Sequence, residues 1–171
     1  VVRGLVRKES ANAHRLCREV EVHYGDIFKY GTLPDDFVRG ADVIVNCVGI
    51  LYEKGENNFE NLHCRGPENI VSAAKKHGVK RIIHLSAIGV GPDATSNYFK
   101  TKWYGEKVVR NCGIPYTIFR PSIIYGPDCE FSYRMFDLAR YPFFVPLPGD
   151  GLTYIQPVHV NDLVVAISNC I

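Results

Sequence analysis

The run Tyr98-Phe99-Lys100-Thr101-Lys102 places a phenol and a primary amine four positions apart. On a helix this spacing puts both groups on one face, one turn apart. An ammonium beside a phenol favours the phenolate and draws the tyrosine down from its ordinary value of about 10. A pair tuned in this way can trade a proton with a carbonyl or an alcohol near neutral pH. Tyrosine and lysine at this spacing are also common on solvated helix faces, so the pattern alone is weak. Its position strengthens it. The pair opens a helix predicted over 97–112, just beyond an apolar strand predicted over 82–86. In an open parallel sheet, ligands bind outside the carboxyl ends of the strands.

The elements that must hold the pair follow from hydrophobic patterning and turn residues. Strands are predicted over 1–6, 21–24, 42–48, 82–86 and 116–119, and helical segments over 11–18, 59–77 and 97–112. Leu33-Pro34-Asp35-Asp36 reads as another helix start: proline suits a first turn, and acidic side chains suit the positive end of the helix dipole. Gly40, Gly78 and Gly113 are natural stops. The run over 42–48 is nearly all apolar, as strands covered on both faces are, and Cys47 within it reads as a small buried hydrophobe. Strands alternating with helices predict an α/β fold with a doubly wound parallel sheet. From 121 to 151 the sequence turns rich in proline, glycine and aromatic residues. Phe131, Tyr133, Phe136, Tyr141, Phe143 and Phe144 there suit an apolar lid or an ordinary core.

Composition narrows the classes of function. The 171 residues are 46% hydrophobic and 22% charged, with twenty basic residues against eighteen acidic ones. A formal charge of +2 gives no reason to expect a nucleic-acid partner, and no apolar run is long enough for a membrane span. Cys17, Cys47, Cys64, Cys112, Cys129 and Cys170 lie far apart, without metal-ligand or disulfide-framework spacing, and read as free thiols in a reducing compartment. The chain begins at Val1 inside a strand and ends within an amphipathic helical run over 164–167. The expectation is therefore a piece of a longer protein: one nucleotide-binding domain over 1–171, with 121–171 contributing part of the substrate side.

The sequence resembles the extended and atypical short-chain dehydrogenase/reductases, and most of all the group that includes the 39-kDa subunit of respiratory complex I. The matching stretches run in order along the chain: VNCVGI (45–50), Asn61 with Gly66 and Asn69, GVKRIIHLSAIG (78–89), Y-F-K-T-K-W-Y-G-E (98–106), IPYTIFRPSIIYGP (114–127) and YIQPVHVNDL (154–163). The resemblance implies a Rossmann-type fold that binds a nicotinamide dinucleotide. Tyr98 is then the general acid or base, and Lys102 tunes it and holds the ribose. Asp26, with Ile27 beside it, is the carboxylate toward the adenine; a helix N-cap or turn aspartate is the alternative. Arg7, with Lys8 beside it, takes a position that often selects the cofactor, and an arginine there suits a 2′-phosphate, hence NADP(H) over NAD. Asn46, Val48 and Gly49 match the strand end beside the nicotinamide ribose, and Pro121 and Ser122 the segment lining the nicotinamide. His159 and Asp162 take structural, hydrogen-bonding roles.

Two departures from the family pattern stand out. The family's first strand and its glycine-rich loop fall before Val1, so no helix start receives the pyrophosphate within 1–171. The family's catalytic serine or threonine falls at Ala87, and Ser86, one residue earlier, is the nearest hydroxyl to replace it. Three functions follow from the resemblance. The first is an oxidoreductase acting on a carbonyl, alcohol or quinone-like small molecule. The second is a non-catalytic nucleotide-binding subunit with protein partners, as in complex I. The third is a nucleotide-sugar epimerase or dehydratase. The expected compartment is the cytoplasm or, for a complex I-like subunit, the matrix side of the mitochondrial inner membrane.

Overall fold

The computed structural model describes residues 1–7, 19–29, 33–127, 129, 133, 136–137, 140, 150, 152 and 154–171. The helix expected over 11–18, together with Lys8, Cys17, Phe131, Tyr141, Phe143 and Phe144, lies outside the described residues. The chain divides into two compact units, Val1–Phe119 and Arg120–Ile171.

In the first unit, β1 (Val2–Val6) and β2 (Val20–Tyr24) pair in parallel, Val2 opposite Val20 and Val6 opposite Tyr24. A single helical turn, α1 (Asp35–Val38), follows the start signal at Pro34. Then β3 (Val43–Asn46), β4 (Arg81–Leu85) and β5 (Tyr116–Phe119) form a parallel sheet in the order β3-β4-β5. Parallel neighbours need crossover connections. Here α2 (Gly66–His77) joins β3 to β4, and α3 (Asn97–Arg110) joins β4 to β5. Ile82 and Ile83, consecutive on β4 and so facing opposite ways, are both fully buried, which makes β4 the strand covered on both faces.

The expected doubly wound order is present in two pieces. β1 and β3 belong to separate sheets, yet Leu5 of β1 and Ile44 of β3 pack against one apolar cluster with Ile27, Phe28, Leu62 and Ile70. A second cluster, Val38, Val71, Ala74, Val79, Ile82, Val109 and Cys112, joins α1, α2, α3 and β4. The run over 42–48 is a strand only to Asn46, and Cys47 beyond it is exposed instead of buried.

The helix expected over 59–77 begins as a π-helical turn, Glu60–Arg65, that continues into α2. Asn58 starts it, its Oδ1 accepting from Asn61 N at 2.8 Å. Pro67, at the start of α2, has no N–H to offer the His63 carbonyl. Gly66 N reaches back to Asn61 O instead. α3 then packs onto the turn at Gly105, where a Cβ would stand 2.4 Å from His63 O. Only a glycine permits that approach. α2 ends at Gly78, in the left-handed region at φ 69°, and its N–H closes on the last turn.

In the second unit, β6 (Ile124–Tyr125) and β7 (Val158–His159) pair in parallel, and α4 (Val160–Ser168) follows directly. These two-residue strands carry no periodicity and are absent from the sequence reading. His159 caps α4, its Nδ1 accepting from Asn161 N at 3.2 Å, which is the structural role expected of it; Asp162 lies in the helix's first turn. Among the described residues, no helix is long and apolar enough to cross a membrane.

Candidate functional site

The face that α3 turns to the interior carries Lys102, Gly105, Glu106 and Val109, the i, i+3, i+4, i+7 stripe of an amphipathic helix. Two of those four side chains are charged, which no packing argument explains. Ser96 starts the helix, its hydroxyl accepting from Phe99 N at 3.3 Å, and so fixes where Tyr98 and Lys102 fall on it.

Lys102 is 6% exposed, and its Nζ donates to the carbonyl of Leu85, the last residue of β4, at 3.0 Å. Burial pulls its ammonium down to about 8 while Glu106 acts in the opposite direction, so the group is a cation at neutral pH. Gly49, just past β3, lies against it: a Cβ there would stand 3.1 Å from Lys102 Nζ and 3.8 Å from His63 Nε2. The absent side chain leaves backbone open beside a buried ammonium.

Two buried histidines flank this lysine, and their neighbours set their tautomers. Ile50 N donates to His63 Nε2 at 3.3 Å, so Nδ1 carries the proton and donates to Thr101 Oγ1 at 3.1 Å. The His63 ring stacks on Phe59 and meets Tyr98 edge-on, with centroids 5.4 Å apart. At β4, Asn46 Oδ1 accepts from Val48 N at 3.1 Å, which leaves Asn46 Nδ2 to donate to His84 Nδ1 at 3.0 Å. His84 therefore carries its proton on Nε2. Burial first, and the Lys102 charge second, pull both imidazoles down to about 4. His84 Nε2 and the Ser86 hydroxyl are buried and have no hydrogen-bond partner among the described residues.

Asn46, Val48, Gly49, Ser86, Tyr98 and Lys102 thus gather where the strand-end argument puts them, around the carboxyl ends of β3 and β4. Arg7 and Asp26 stand at the corresponding ends of β1 and β2, which are tied together by Gly25 N donating to Val6 O at 3.0 Å. Several contacts differ from the expected ones. Burial pushes the Tyr98 phenol up rather than down, and the Lys102 ammonium donates to the Leu85 carbonyl. The Ser86 hydroxyl is sealed from solvent, and its amide donates to Phe119 O at 2.7 Å. The Asp26 carboxylate accepts from Phe28 N at 3.3 Å, the turn role. Ile27 points its side chain into the core, and its carbonyl accepts from Asn69 Nδ2 at 2.8 Å. Arg7 donates to the side chain of Asn57. Pro121 and Ser122 belong to the second unit, just ahead of β6.

Sequence reasoning passed over His63, His84, Thr101 and Glu106. A histidine inside the apolar run Ile82-Ile83-His84-Leu85, and a glutamate four residues after Lys102, were signals available to it. His63 left none, since its neighbours come from a loop and a helix distant in sequence.

A family of NAD(P)H-binding domains matches residues 1–139. The chain is 32% identical over 130 residues to the mitochondrial NADH-ubiquinone oxidoreductase 40 kDa subunit of Neurospora crassa, covering 75% of this chain and 33% of that protein. It is 29% identical over 160 residues to the ceramide reductase of Caulobacter vibrioides, covering 94% of this chain and 50% of that enzyme. Among solved structures, the Bordetella bronchiseptica enzyme WbmH in complex with NAD+ superposes with a TM-score of 0.68 at 20% identity, covering 98% of this chain and 62% of that one. That likeness concerns the fold. The chain spans about a third of the length of the respiratory relatives it matches.

Proposed function

The chain belongs to the NAD(P)H-binding family, and on that premise we propose that it is the nucleotide-binding part of a short-chain dehydrogenase/reductase-like oxidoreductase with Tyr98 and Lys102 at its centre. The observation that carries this reading is Lys102: a buried ammonium, charged at neutral pH, anchored at the end of β4 and lying against the bare backbone of Gly49. These residues fit a nicotinamide dinucleotide, since a fixed cation and a glycine that leaves backbone open suit ribose hydroxyls and a close-lying ring.

When bound, that group supplies a hydride donor or acceptor. The chain's own residues do the rest. Lys102 donates to ribose hydroxyls and, by its charge, lowers the work of moving a proton at the Tyr98 Oη. Tyr98, half-buried between Phe59, His63 and Phe99, gives a proton to a carbonyl oxygen or takes one from an alcohol. Arg7 exchanges Asn57 for a 2′-phosphate, which sets the preference for NADPH over NADH. Asp26, Ile27, Asn46, Val48 and Gly49 complete the cradle within the first unit. The substrate is a small carbonyl, alcohol or quinone-like molecule, and the compartment is a reducing one.

The sealed Ser86 hydroxyl and the raised Tyr98 phenol favour a second reading, in which nucleotide is held without turnover and the protein serves as a subunit with protein partners. The name of the Neurospora relative, a subunit of a larger oxidoreductase, agrees with it. One variant of the full-length protein separates the readings, and a second tests the cofactor preference. In the enzyme reading, Tyr98→Phe keeps NADPH affinity and abolishes turnover of a substrate found in a carbonyl, alcohol and quinone panel. A wild type that turns over nothing across that panel contradicts it. Arg7→Asp is expected to lower NADPH affinity by roughly tenfold or more while sparing NADH; unchanged NADPH affinity removes Arg7 from the site.

A further inference from the structure

His63 sits in the π-helical turn, 3% exposed, and both of its ring nitrogens are engaged by segments distant in sequence. On one edge Nε2 accepts from the amide of Ile50, the residue after Gly49; on the other Nδ1 donates to Thr101 Oγ1. The Thr101 hydroxyl in turn shares its proton between the carbonyls of Asn97 and Tyr98, at 2.8 and 3.0 Å, in the first turn of α3. The same helix approaches the His63 backbone at Gly105, and its Tyr98 ring meets the imidazole edge-on. One side chain thus spans from the backbone beside Gly49 to the turn that carries Tyr98.

A ring that only filled this space would need no nitrogens. A phenyl ring could stack on Phe59 as the imidazole does, but it would leave the Ile50 N–H without its acceptor. The arrangement also demands one protonation state, with Nε2 bare and Nδ1 carrying hydrogen. Burial favours that neutral form, pulling the imidazole down to about 4. Proton transfer at Tyr98 makes no use of these two hydrogen bonds. We propose that His63 is a positioning residue, a latch that holds the Gly49–Ile50 backbone against the first turn of α3. Nucleotide lying on that backbone and the Tyr98 phenol are then set relative to each other by one imidazole. This consequence for nucleotide rests on the proposed function; the latch itself does not.

Hydrogen exchange at the Ile50 amide in the full-length protein reads the latch without nucleotide. With 15N-isoleucine, that signal is the one lost in Ile50→Val. In His63→Phe it is expected to exchange roughly tenfold faster or more, while the amides of Ile82 and Ile83 in buried β4 keep their protection. His63→Gln, whose amide oxygen can accept from Ile50 N, should restore part of the slow exchange. Thr101→Val removes a hydroxyl that bonds the imidazole and not Ile50, so it should also speed exchange at Ile50 and add nothing to His63→Phe. A histidine that serves packing alone would leave Ile50 unmoved in Thr101→Val, and that result overturns the inference. If circular dichroism shows that His63→Phe has not folded, Thr101→Val alone decides. NADPH affinity should fall roughly threefold or more in both variants, and an Ile50 amide freed without that fall overturns the positioning role. Failure of NADPH to bind wild type would contradict the proposed function, and Ile50 exchange would still decide the latch.

Discussion

Lys102 shows how a single residue is made useful by where it is buried. Its ordinary value of 10.5 is pulled to about 8 by desolvation, so it is charged at pH 7 and loses its proton in mild alkali. If that charge holds the nucleotide, NADPH affinity should fall as pH rises from 7 through about 8. Lys102→Met should weaken binding at pH 7 by roughly tenfold or more and remove the alkaline fall, because the titrating group is gone. Isothermal titration across that range checks both, and a fall that survives in Lys102→Met assigns it to another group. The i,i+4 spacing made Tyr98 and Lys102 legible in the sequence. The direction of the Tyr98 shift was not, because spacing fixes which face a side chain is on but not how far tertiary packing withdraws it from water.

The elements were read well where length and periodicity are strong. α3, β4 and β5 lie within about two residues of their expected bounds; Gly78 marks a true helix end, whereas α3 stops at Arg110, ahead of Gly113. The π-helical turn escaped because Pro67 reads equally well as an ordinary helix start, and the close approach of Gly105 comes from another helix. That packing yields an ordered pair of expectations. A Cβ at Gly105 meets backbone at 2.4 Å, whereas one at Gly66 meets Ile27 Cδ1, the tip of a flexible side chain, at 2.5 Å. Gly105→Ala should therefore destabilise the fold by about 1–3 kcal/mol or more, and Gly66→Ala by less. Urea denaturation ranks them, and the reverse order would contradict the packing of α3 on the turn. β6 and β7 were not legible, since two residues cannot display an alternation.

At the scale of the whole molecule, the buried polar centre makes stability depend on pH. His63 and His84 each fall from 6.5 to about 4 on folding, so between these values the unfolded chain binds more protons than the native one. Stability is thus whole above pH 6.5 and is lost as pH falls toward 4, by up to about 1.4 kcal/mol per pH unit for each imidazole. His84→Gln, which cannot take up that proton, should flatten the slope of denaturation free energy against pH. An unchanged slope would place the acid sensitivity elsewhere. The overall family could be read from the sequence because its motifs are spread in order along the chain. The division of β1 to β5 into two sheets could not, since pairing between β1 and β3 is a property of edges that no local pattern encodes.

The most direct test is a titration of the full-length protein with NADPH and with NADH, followed by nicotinamide fluorescence, in wild type and in Lys102→Met. Saturable binding of NADPH in wild type, tighter than that of NADH and weakened by roughly tenfold or more in Lys102→Met, is the predicted result. Binding of neither nucleotide, or binding that Lys102→Met leaves unchanged, would contradict the assignment of the β3–β4 strand ends as the nucleotide site.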